Sequence, residues 1–90
     1  MSAGARNRYA TVTLYGRPDC HLCDEARAGI EAMRAAGAVF TLVEVDIEST
    51  EALLRAHLER IPVIEVEGDE VCALGFDEDA LRSRLATVSP

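Results

Sequence analysis

Lysine and tryptophan are absent from this chain of 90 residues, aromatic side chains make up only 4% of it, and no long apolar run occurs in it. Each absence excludes something. The nine basic residues are all arginine, scattered rather than clustered, and against sixteen acidic residues they leave a net charge of −7. Such a surface repels phosphate backbones, so neither nucleic acid nor a membrane is expected as a partner. The missing lysine is read as composition bias and carries no chemistry. With so few aromatics, the core has to be packed from Val, Leu, Ile and Ala. No span approaches a transmembrane helix, and residues 1–7 lack the apolar stretch of a signal sequence, which makes the cytoplasm the expected location. Three cysteines do not make the paired framework of a small secreted domain. The length fits one domain with one core, expected over residues 10–87 behind a flexible tail at 1–9.

What is present is a pair of thiols one helical turn apart. Cys20-His21-Leu22-Cys23 follows a strand-like stretch, Thr11-Val12-Thr13-Leu14-Tyr15, and a turn-forming Gly16-Arg17-Pro18-Asp19. That is the layout of a dithiol redox centre at a helix start. A thiolate, not a thiol, attacks a disulfide, and the free N–H groups and positive dipole end of a helix N-terminus stabilise that anion. Cys20 gains most from this position. Reading onward from Cys23, the residues Ala26, Ile30 and Met33 recur at the intervals of one buried helical stripe. Cys23 is therefore expected on the core side and Cys20 at the exposed tip. The roles follow: Cys20 attacks and forms a mixed disulfide, and Cys23 resolves it.

Two further readings of the pair stay open. A C-x-x-C also serves a metal-binding or Fe-S cluster-carrying module; for zinc, Cys72, His21 and His57 are the only other soft or imidazole ligands, and no second C-x-x-C or H-x-x-x-H exists to complete a tetrahedral site. An inert thiol pair on a partner-binding domain is the other. The strand-loop-helix placement favours redox chemistry. A protonated His21 beside Cys20 would favour the thiolate, whereas Asp19, Asp24 and Glu25 oppose it, with Asp19 expected as the helix cap.

Around this centre the pattern reads β-α-β and then β-β-α. The first helix should stop near Gly37, and the segment 38–46 is β-branched and apolar enough for the second strand. Ser49 or Thr50 can cap a short helix reaching about Leu58, with Leu54 and Leu58 to one side. In Arg60-Ile61-Pro62 the proline forbids helix continuation and holds Ile61 extended. Val63-Ile64-Glu65-Val66 and Val71-Cys72-Ala73-Leu74 read as a hairpin turning at Gly68, in which Cys72 shares a face with Leu74 and packs as a small hydrophobe. Asp77 can cap the last helix, Leu81 and Leu85 face inward, and Arg82 and Arg84 suit its negative end.

Taken together, Leu14-Tyr15-x-Arg17-x-x-Cys20-x-x-Cys23, Ile61-Pro62-Val63 and Gly75-Phe76-Asp77-Glu78 resemble the glutaredoxins of the thioredoxin-like superfamily, over roughly residues 10–86. The similarity is closest to the small bacterial glutaredoxin-like domain proteins. The resemblance implies an α/β thioredoxin-like (glutaredoxin-type) fold: a four-stranded mixed sheet flanked by helices, strands one and two parallel, the hairpin antiparallel. It implies Cys20 and Cys23 as nucleophilic and resolving thiols and Pro62 as a cis-proline beside them. Ile61 would then offer main-chain hydrogen bonds to a bound thiol substrate, and Arg17 and the helix start at Asp77 would meet glutathione carboxylates. Two departures stand against glutathione. The usual Cys-Pro-Tyr-Cys is Cys-His-Leu-Cys here, and Leu74-Gly75 replaces a Gly-Gly pair. The activity implied is reduction of protein or glutathione mixed disulfides by a monomer, without metal or organic cofactor. Glutathione or a thioredoxin-reductase-type donor would supply the electrons.

Overall fold

In the computed structural model, which describes residues 9–88, a strand β1 (Thr11–Gly16) leads into helix α1 (His21–Ala35) and returns as strand β2 (Thr41–Asp46). A single 3-10 turn (Ile47–Ser49) and helix α2 (Glu51–His57) lead to the hairpin of β3 (Val63–Val66) and β4 (Asp69–Ala73), and helix α3 (Glu78–Val88) closes the chain. The sheet order is β2-β1-β3-β4. β1 runs parallel to β2 and antiparallel to β3, and β3 runs antiparallel to β4. This is the α/β thioredoxin-like arrangement, built from β-α-β and β-β-α halves.

One face of the sheet supplies the core. Val12 and Leu14 of β1, Ile64 and Val66 of β3 and Cys72 of β4 alternate inward and meet Ala26, Ile30 and Met33 of α1 and Leu81 and Leu85 of α3, with Phe40 at the margin. The period of two in the strands and of three to four in the helices puts these residues on facing surfaces. Phe76 locks the two helices together. Its ring lies so close to Gly29 of α1 that a Cβ there would sit 2.4 Å from Cε2.

Several element boundaries depart from the sequence reading. β2 starts at Thr41 rather than at residue 38, and Phe40 is buried just ahead of it. The hairpin turn is only Glu67-Gly68, with φ of 52° and 86°, the paired left-handed conformation that matches strand twist. Glu67 tolerates it because its backbone N–H donates to the Thr11 carbonyl and its carboxylate accepts from the Thr11 N–H. β4 therefore begins at Asp69, and an irregularity between Ile64 and Glu65 absorbs the offset. Leu74 leaves the strand in the left-handed region, at φ 66°, and is 62% exposed, so it shares no face with buried Cys72. Thr50 caps α2 through its hydroxyl, accepting from Leu53 N at 3.0 Å, but α2 buries no residue fully and Leu58 is exposed. α3 runs on to Val88, so Arg82 and Arg84 lie short of its last turn and pair with Glu78 and Asp69 instead. Most of the expected tail, residues 1–8, lies outside the described residues. Among the described residues no helix is long and apolar enough to cross a membrane.

Candidate dithiol active site

The loop after β1 delivers the two cysteines to the start of α1. Asp19 takes a left-handed conformation, φ 61°, and the helix cap is Cys20 itself: its Sγ accepts the Cys23 N–H at 3.1 Å, and its carbonyl accepts the Asp24 N–H at 3.0 Å. This corrects the expectation that Asp19 caps. Cys20 is extended, φ −109° and ψ 106°, which aims its side chain back at the free N–H groups of the first turn. The two thiols are joined as a disulfide with their Cα atoms 5.2 Å apart.

The environments of the two sulfurs differ. Cys23 is fully buried on the stripe with Ala26, Ile30 and Met33, while Cys20 is half-buried rather than an exposed tip. Cys23 lies directly on Gly16, where a Cβ would come within 3.1 Å of both its Cβ and its Sγ. Gly16 thus makes room for the buried sulfur, a role sequence reasoning missed by treating it only as a turn residue. His21 is turned toward solvent and pairs with Glu25 one turn on, Nε2 to Oε2 2.8 Å, and Leu22 beside it is 46% exposed.

The register of the sheet brings Ile61 and Pro62 to the same end. Tyr15 pairs with Val63 and Val63 with Ala73, so the next rung reads Gly16, Pro62, Leu74. The Ile61–Pro62 peptide is cis and Pro62 is fully buried. Leu74 N–H is shared between the carbonyls of Arg60, at 2.9 Å, and Pro62, at 3.0 Å. On the opposite side of the loop, the His57 carbonyl accepts from Arg60 N at 2.8 Å and Ile61 N at 3.1 Å. His57 itself stacks on Tyr15 with ring centroids 4.5 Å apart. Burial, and after it the Glu65 carboxylate that accepts the Tyr15 hydroxyl, pushes the Tyr15 phenol up. His57 is thus part of the support under the loop rather than an ordinary surface residue.

The remaining predicted residues are placed as follows. Arg17 is exposed and lies 3.6 Å from Glu48, on the rim of a cleft of about 390 Å³ that Gly16, Asp24, Arg27, Glu44 and Asp46 also line. Asp77 caps α3, its Oδ1 accepting from Ala80 N at 3.0 Å, and its carbonyl accepts from Leu81 N. Cys72 remains a free, buried thiol 3.6 Å from the Asp77 carbonyl, and burial pushes its pKa up. Among the described residues, no three His, Cys, Asp or Glu side chains converge as metal ligands would.

A family model for the glutaredoxin-like domain (DUF836) matches residues 11–86. The chain belongs to this family. Among solved structures it is similar to protein Ne2328 of Nitrosomonas europaea, at 30% identity and a TM-score of 0.74 over 86% of this chain and 92% of that one. It is similar also to XcR50 of X. campestris, at 38% identity and a TM-score of 0.66 over 86% and 97% of the two chains. A thioredoxin variant from Halobacterium salinarum shares the fold at 19% identity, with a TM-score of 0.65 over 90% of this chain and 75% of that one. No curated protein is similar enough to the chain to count as a match. The glutaredoxin-like fold and the Cys20–Cys23 disulfide together support thiol–disulfide redox chemistry.

Proposed function

We propose that this glutaredoxin-like protein is a thiol–disulfide oxidoreductase that reduces disulfides in protein substrates, with Cys20 as nucleophile and Cys23 as resolving thiol. The observation that carries this reading is the asymmetry of the pair: Cys20 is only half-buried and caps α1 with its own sulfur, and Cys23 is shut away on Gly16. In the reduced protein the same N–H groups would stabilise a Cys20 thiolate.

The chemistry balances in two exchanges. The Cys20 thiolate attacks R–S–S–R′, a Cys20–S–S–R bond forms as the substrate bond breaks, and R′S⁻ leaves and takes up a proton. Cys23 then loses its proton and attacks the Cys20 sulfur, giving the Cys20–Cys23 disulfide and RS⁻. Two electrons from an external thiol, glutathione or a thioredoxin-reductase-type donor, restore the dithiol. Neither exchange calls for a metal or organic cofactor. A reducing cytoplasm suits a dithiol that rests reduced.

Leu74, Leu22 and the Arg17–Glu48 pair argue for weak coupling to glutathione, because an exposed leucine occupies the position opposite Pro62 where a glycine would leave room, Leu22 stands in place of an aromatic, and the one basic residue expected to meet a carboxylate already faces one. An exposed ion pair is worth only about 0–1 kcal/mol, so Arg17 alone offsets little.

Serine variants test the assignment. Cys20→Ser should abolish reduction of a protein disulfide, while Cys23→Ser should keep the attack and accumulate mixed disulfides visible by mass spectrometry. If Cys20→Ser instead traps the adduct, the roles are reversed; if neither traps one and the unmodified protein turns nothing over, the oxidoreductase reading fails.

A further inference from the structure

β2 forms one edge of the sheet, and its outer side is open. The Thr41 N–H donates to the Ala10 carbonyl at 2.9 Å, so Thr41, Val43 and Val45 turn their main-chain groups toward β1, and by alternation Leu42 and Glu44 turn theirs away from it. No partner for these Leu42 and Glu44 groups is found among the described residues. Natural edge strands are normally blunted against pairing with another chain. The opposite edge, β4, is so protected: its pairing with β3 carries an irregularity, and Glu70 and Asp69 hold Arg60 and Arg84 along it. β2 pairs regularly and has neither proline nor a basic residue. Its carboxylates are committed within the chain, Glu44 to Arg27 at 2.6 Å and Asp46 to the Glu48 N–H at 2.8 Å. The face of β2 away from the core carries Thr41, Val43 and Val45, with Val43 42% exposed.

We propose that β2 is the docking edge for a second copy of this chain, the two strands pairing antiparallel about a two-fold axis into one continuous sheet, in place of the monomer that the family resemblance implies. The same patch must serve on both copies, so the strand has to be complementary to itself. Hydrogen bonding requires residues that face the open edge to lie opposite one another. Of the pairings that meet this condition, two overlap the strands most fully. One sets Glu44 against Glu44 of the second copy, and like charges directly opposite each other are destabilising. The other sets Leu42 against Glu44 in both directions and places Val43 on the axis, against its own counterpart, with Thr41 against Val45 on either side. The pairs along that face are the ones whose side chains approach closest, and every member is β-branched, the kind of side chain that packs well on a pleated surface. One register therefore satisfies the main chain and the side chains together, and it selects a second copy over an unrelated strand. Gly16, which leads to the dithiol, pairs with Asp46 at one end of β2, so antiparallel docking carries the two dithiols to opposite ends of the joined sheet. Each copy brings a net charge of −7, and salt, by screening that repulsion, strengthens the assembly.

Sedimentation equilibrium of the full chain from about 10 µM to about 1 mM should show the mass rising from one copy toward two, and the rise should come at lower concentration in high salt than in low. Val43→Lys sets like charges against each other on the axis and should hold the mass at one copy throughout. A cross-link reads the register. In a Cys20→Ser/Cys23→Ser background treated with copper–phenanthroline, Val43→Cys should form a covalent dimer, because directly opposed residues of this kind have Cα atoms about 4.5 Å apart, within disulfide reach. Glu44→Cys, which faces Leu42 of the second copy, should stay uncross-linked. A single-copy mass for the unmodified chain at every concentration, a dimer that Val43→Lys leaves intact, or faster cross-linking at residue 44 than at residue 43 would overturn the inference.

Discussion

At the scale of the residue, Leu74 concentrates the most information. It holds a left-handed conformation, φ 66°, with its side chain 62% exposed, and spends its N–H on both flanking carbonyls of the loop beside the dithiol. Left-handed backbone costs an L-residue about 1–2 kcal/mol, and glycine escapes that cost while losing roughly 0.5–1 kcal/mol to chain entropy. Leu74→Gly should therefore leave thermal stability unchanged or slightly raised, whereas Leu74→Val, β-branched in the same conformation, should lower it by more than about 1 kcal/mol. Urea unfolding measures both. The same glycine removes the exposed side chain opposite Pro62, so glutathione-coupled reduction should rise. Strong glutathione coupling in the unmodified protein, with no gain on Leu74→Gly, would show that the leucine does not obstruct. Cys72 offers a contrast: its burial, which pushes the thiol up, and its 3.6 Å approach to the Asp77 carbonyl fit a packing residue.

At the scale of the element, the contact that positions α1 against the start of α3 is Phe76 on Gly29. In an isolated helix Ala outperforms Gly by about 1 kcal/mol, yet here the added methyl would meet the ring, and overpacking costs about 1–3 kcal/mol. Gly29→Ala should thus destabilise the protein, and the same change in a Phe76→Ala background should stabilise it. A double-mutant cycle in urea reads the coupling, and stabilisation in both backgrounds would mean that the ring yields freely. That contact joins residues far apart in the chain, and nothing local at Gly29 announces it. What local patterns did announce is substantial. The Cys23-Ala26-Ile30-Met33 stripe, the strand before the dithiol, the Thr50 cap and the break at Ile61-Pro62 all follow from spacing and backbone chemistry, and all are present. Other features are not fixed by local pattern. Asp19 and Cys20 are both stereochemically able to start a helix, and a left-handed turn at Asp19 decides for Cys20. The hairpin admits two registers by alternation, and the Glu67–Thr11 bonds together with the offset at Ile64–Glu65 select one. The use of the Ile61 N–H by His57 depends on how α2 ends, which no residue preference encodes.

At the scale of the whole molecule, the dithiol stands beside the core rather than within it. The main apolar cluster, from Ala10 through Val12, Leu14, Ile30 and Ile64 to Leu85, does not include Cys23, which is buried separately on Gly16. The ion pairs among the described residues lie on exposed side chains, where each is worth about 0–1 kcal/mol, so the fold depends mainly on apolar packing between one sheet face and two helices. A disulfide between residues 20 and 23 closes a very short loop, and in the chain-entropy model such a loop stabilises by only about 2 kcal/mol. Opening it exposes no new face, because the Cys23 thiol remains an apolar neighbour of Gly16. Reduction with dithiothreitol should therefore lower stability by no more than about 2 kcal/mol and leave the far-ultraviolet circular dichroism unchanged, as a protein that alternates between the two redox states requires. Urea titrations of the oxidised and reduced forms give the difference directly. Loss of cooperative unfolding on reduction would make the disulfide a structural staple, and a thiol pair that the fold needs oxidised is not one that turns over.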